Sequence, residues 1–164
     1  MNIKHLEMMR VMLNRVHVGS WKPTVVLDDG ELWSNGYKSD AVVKLNDFDL
    51  AHWVLLDTFT QQKTGVTCGF SACAIGHACF DEEFRKLGWE WSDIGTPKFE
   101  GKSAWGAVQK FFDIVEGTDD ILFQDTSYQG VNHVTAKMVA IRIEELMTMG
   151  ETKFRKKYAD VLGD

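Results

Sequence analysis

The chain has 164 residues, 45% of them hydrophobic and 26% charged, enough to bury one core and too few for two comfortable ones. That composition excludes an intrinsically disordered protein, which lacks the apolar surface needed to offset chain entropy. A net charge of −6 argues against a nonspecific nucleic-acid binder, whose affinity rests on neutralising phosphates.

In chain order, Ile3, Leu6, Met9 (or Met8), Leu13 and Val16 recur at helical spacing and predict a helix from about Asn2 to His17, broken at Gly19-Ser20. This opening stretch is charged throughout, unlike a secretory signal peptide. No apolar run approaches the roughly 20 residues that span a bilayer, so no membrane association and a cytoplasmic location are expected. Thr24 to Leu27, then Asp28-Asp29-Gly30, then Glu31-Leu32-Trp33 predict a small β-hairpin near 24–33 with Asp-Gly in its turn. Residues 34–47 are turn-rich, with Asn35-Gly36 and one apolar patch at Ala41-Val42-Val43. Phe48 to Val54 reads as a short helix bringing Trp53 to the core, and Thr58 to Thr67 as a polar surface loop leading into Cys68.

The densest run of small residues spans Thr64 to Gly88 and holds all three cysteines. Phe70, Cys73, His77, Phe80, Phe84 and Leu87 fall at spacings of three and four, one apolar stripe of a helix. A buried central helix over about 70–87 follows, capped by Thr67 or Ser71 and ended by Gly88. Ala72, Gly76 and Cys79 make a second face small enough for another backbone to approach, and Asp81-Glu82-Glu83 mark the solvent side.

Beyond it, Trp89-Glu90-Trp91 and Pro97 to Gly101 read as an aromatic-bearing loop. Ser103 caps a helix with Trp105, Val108, Phe111, Phe112 and Val115, closed by Gly117, and Thr118 caps a short turn from Asp119 to Phe123. After a polar loop over 124–133, Thr135 opens a helix bearing Met138, Val139, Ile141, Ile143, Leu146 and Met147 and ending at Gly150. A last helix from Glu151 to about Leu162 puts Phe154, Tyr158, Val161 and Leu162 on one side, with Lys153, Arg155, Lys156 and Lys157 as a solvated basic face. The expected fold is therefore mainly α, a single domain over 1–164 of five or six helices around the helix at about 70–87, with the small hairpin.

Chemistry gathers at the same segment. Cys68 falls at or just before a helix start, where free amides and the helix dipole stabilise a thiolate. Cys73 and His77, four apart, share a face, so Cys68-x4-Cys73-x3-His77 offers three zinc ligands. No second Cys/His pair closes the tetrahedron, and cysteine packs readily as a small hydrophobe. Core roles for Cys73, Cys79 and His77, and no metal, are expected. Gln62, six residues before Cys68, gives the segment a resemblance to papain-like cysteine hydrolases, with His133 or His77 as base. It departs from that pattern because a helix-forming run, not a strand, follows His133. GxGxxG, GxxxxGK[ST], HExxH and CxxC do not occur, and no cofactor is expected.

Cys68-Gly69-x-x-Ala72-Cys73-x-x-Gly76-His77-Ala78 resembles the CGTxxCxxGxA motif of a family of small uncharacterised bacterial and tailed-phage proteins, in which a Phe-Asp-x-x-x-Trp segment usually precedes it. Here that segment is Phe48 to Trp53, and the resemblance runs over roughly 48–147, with Phe70 where threonine is common. It implies a phage or bacterial cytosolic setting and an α-helical domain, and no reaction. The expected function is a non-enzymatic cytosolic binding protein, an accessory factor that sequesters a small, anionic or nucleotide-like ligand or inhibits a host protein. Ligand contacts are expected from Gln62, Thr67, Cys68, Gly69 and His77, with Trp53, Trp89, Trp91 and Trp105 as the aromatic surface. Two alternatives stand beside it: a structural protein forming a homo-oligomer, and a cysteine-dependent hydrolase using Cys68, Gln62 and His133.

Overall fold

A computed structural model of the chain describes residues 1–21, 25–26, 42–48, 50, 54–56, 69–91 and 96–162. Its first element is helix α1, Ile3–His17, where the Asn2 side chain caps the His5 amide and Leu6, Met9, Met12 and Leu13 are buried. The stripe predicted from spacing thus holds at its centre, while Ile3 stays exposed. The Asn2 amide donates to the Phe112 carbonyl at 2.7 Å, which ties the start of α1 to the end of a later helix.

Four short strands form a mixed sheet: β1 (Val25–Val26), β2 (Val42–Phe48), β3 (Val54–Leu56) and β4 (Gly69–Ala72), in the order β1-β2-β4-β3. β4 lies parallel to β2, with Lys44 opposite Gly69 and Phe48 opposite Ala72, and antiparallel to β3. The ladder slips between Leu45 and Asp47, as a bulge does when one strand carries an extra residue. Val25 and Val26 are strand as expected, and they pair with Val43 and Val42. The expected hairpin partner, residues 31–33, lies outside the described residues.

Two expectations fail here. Both ends of the helix expected over Phe48 to Val54 are strand, since Phe48 ends β2 and Val54 opens β3, while Trp53 lies outside the described residues. The central helix over 70–87 is also not continuous. Gly69–Ala72 is strand, helix α2 runs from Ala74 to Phe80, and helix α3 from Glu82 to Lys86. Cys73 rather than Thr67 or Ser71 caps α2, and Asp81, extended at φ −84° and ψ 128°, interrupts the run and caps α3 through the Glu83 amide. Burial was legible where continuity was not, since every residue of α2 is buried. Gly88 ends the segment at φ +89° as expected.

The stretch read as an aromatic loop is a three-stranded antiparallel meander, β5 (Glu90–Trp91), β6 (Pro97–Phe99) and β7 (Lys102–Ser103). Glu100 and Gly101 join β6 to β7 with φ of 43° and 77°, the pair of positive angles that a tight two-residue hairpin turn requires. Helices α4 (Ala104–Phe112), α5 (Thr118–Phe123), α6 (Ala136–Met149), α7 (Glu151–Lys157) and α8 (Ala159–Leu162) follow, with a 3₁₀ turn at Asp125–Ser127. Thr135 caps α6 by accepting from the Met138 amide, as its sequence predicts. The expected single last helix is divided at Tyr158. The chain is mainly α-helical, with eight α-helices among the described residues and more sheet than the one predicted hairpin.

The core is aromatic at its centre. Trp89 packs edge-on to Phe111 at 4.8 Å, and Phe111 meets Phe99 and Phe112 at 5.0 Å each, both near perpendicular. Such edge-to-face pairs add to the burial itself because a positive ring edge meets a negative face. α1 packs chiefly along α6, while α5 is gripped by α4, α6, α7 and α8, with Ile121, Leu122 and Phe123 buried.

Candidate functional site

Cys73 stands at the joint between β4 and α2. Its backbone is extended, and its Sγ accepts from the Gly76 amide at 3.4 Å, filling a place usually taken by a serine or aspartate oxygen. One turn later, the Nδ1 of His77 lies 2.9 Å from the Cys73 carbonyl oxygen. A carbonyl only accepts, so Nδ1 carries the proton and donates. The His77 ring is only 1% exposed and lies between Trp21, 4.9 Å away, and Phe48, 5.7 Å away. Cys73 and His77, joined through that carbonyl, are both buried.

Two further polar contacts fasten the far end of α2, at Asp81. The Trp21 indole donates to Asp81 Oδ2 at 2.8 Å, and the other Asp81 oxygen accepts from the Glu83 amide at 3.0 Å. On the opposite side of α2, the Trp89 indole donates to Cys79 Sγ at 3.1 Å. Burial pushes the Cys79 thiol well above its ordinary range, against the smaller opposing effect of that indole bond. Neither Cys73 nor Cys79 is in a disulfide.

The expected site residues separate into three groups. Trp53, Gln62, Thr67 and Cys68 lie outside the described residues. Gly69 opens β4 and His77 sits in the core behind it. Of the tryptophans, Trp89 is 1% exposed and belongs to the core, not to a binding surface. Trp91 and Trp105 are half-buried, on β5 and in the first turn of α4, two elements that both pack against β6. Trp91 leans on Phe80 at 6.1 Å. His133, the proposed base, is exposed in the turn before α6. Among the described residues, no three His, Cys, Asp or Glu side chains come together as a metal site requires. No helix among them is long and apolar enough to cross a membrane.

Two polar centres were missed from the sequence. Arg142 on α6 donates to the Ile121 carbonyl at 2.6 Å, to the Ser127 carbonyl at 2.8 Å and to Ser127 Oγ at 2.9 Å. Its guanidinium lies 3.4 Å from the centre of the Tyr128 ring and 4.7 Å from that of Tyr158, a flat cation over aromatic faces. The available signal was one arginine inside the apolar run Met138 to Leu146. Asp119 is 1% exposed, accepting from the Gly117 amide and from Gln109 Nε2, both at 2.9 Å. Burial raises its carboxyl above the usual aspartate value and nearby Asp120 adds to the shift, while the Gln109 and Gly117 bonds hold it down.

No family model matches the chain, and no curated protein or solved structure matches it either.

Proposed function

We propose that this chain is a non-enzymatic binding protein, a cytosolic accessory factor of a phage or bacterium that sequesters a small anionic or nucleotide-like ligand or engages a host protein. The observation that carries this reading is the occupation of Cys73 and His77. The thiol caps Gly76 and the imidazole holds the Cys73 carbonyl, structural tasks that support a binding reading. A ligand would be met by the segment before β4 together with Trp91 and Trp105, the two described tryptophans of the expected set that keep surface exposed. Aromatic side chains held on strands and helix starts give contact area at little cost in conformational freedom.

Native mass spectrometry of protein purified without chelators, paired with the denatured mass, tests this. The expected result is a non-covalent adduct, small molecule or protein, that is lost on denaturation. Trp91→Ala and Trp105→Ala should lower the retained fraction by about tenfold, equivalent to ~1.4 kcal/mol. A bare monomer that gains no mass after incubation with cell extract overturns the proposal. A bare homo-oligomer favours the assembly reading instead. The hydrolase reading requires Cys68 to react with an alkylating reagent faster than a free thiol, and His133→Ala to abolish that excess.

A further inference from the structure

We draw no further inference here: the strongest candidate, the solvent-facing side of α1 where Val11 and Val18 stay exposed beside Lys4 and Arg15, carries nothing because nothing in the structure shows what covers it.

Discussion

The Trp21 indole donates to the Asp81 carboxylate at 2.8 Å across 60 residues of chain, fastening the end of α1 to the break between α2 and α3. Asp81 has a second task, capping the Glu83 amide. Asp81→Ala removes a cap, worth about 1 kcal/mol, and strands a buried indole donor, worth about 1–3 kcal/mol. Urea unfolding should show a loss of about 2–4 kcal/mol, with Asp81→Asn losing less because its amide oxygen still accepts. An Asp81→Ala midpoint equal to wild type would show that neither bond matters.

Arg142 bridges α6 to the carbonyls of Ile121 and Ser127 while lying over Tyr128. Arg142→Ala should cost about 3 kcal/mol, since buried carbonyls lose a charged donor. Arg142→Lys should recover less than half, because an ammonium has neither the planar fork nor the stacking face. Equal rescue by lysine, read from the same urea curves, would reduce the site to a simple charge.

Asp119 predicts a pH dependence of definite sign. Its folded value is raised above the ordinary one, so the native state binds the proton more readily than the unfolded chain. The stability this contributes is fully present below the ordinary aspartate value and is lost as pH rises through the raised one. Relative to Asp119→Asn, whose amide satisfies Gln109 after that side chain turns over, wild type should gain stability as pH falls from neutral through this range. Thermal unfolding of both proteins across that range checks it, and parallel curves would remove Asp119 as the source.

Cys73 and Cys79 are 3% and 4% exposed, and burial keeps the Cys79 thiol protonated at neutral pH. Peptide mapping after native alkylation should find both unmodified, and both modified in urea. Any native labelling then reports on Cys68, the third cysteine of the chain. Rapid native labelling of Cys79 would contradict its burial.

The tryptophans should divide by role. Trp89→Ala should cost about 3–5 kcal/mol as a cavity opens beside Phe111. Trp91→Ala and Trp105→Ala, at half-buried positions, should cost less than half as much. Urea midpoints of the three variants test the order, and a stable Trp89→Ala would place that ring outside the core.

Long helices with clean caps were legible in the sequence: α1 from its apolar spacing and α6 from Thr135. The segment after Cys68 was harder because strand and helix both fit it. Phe70 continues the spacing of three and four that His77 and Phe84 keep, yet residues 69–72 pair with β2 and β3, partners remote in sequence that local periodicity does not report. The break at Asp81 did leave a signal, since an aspartate followed by Glu82 and Glu83 is the signature of a new helix start. In the meander, Pro97, Lys98 and Phe99 alternate buried, exposed, buried, but three residues are too few for a period of two to stand out. The polar network of Arg142, Ser127 and the Ile121 carbonyl depends on the approach of α5 to α6, which no spacing within either helix encodes.

The order β1-β2-β4-β3 has a consequence for how the protein is made. β4 fills the place between two strands that both leave the ribosome before it, and its pairing with β2 closes a long stretch of chain. Until β4 arrives, β2 and β3 each present an unsatisfied edge, and edges of that kind recruit foreign strands. The helices from α4 onward close over short separations and should gather faster. The late insertion of Gly69–Ala72 is therefore the vulnerable step of biosynthesis, and substitutions there should lower soluble yield more than they lower the stability of the finished protein.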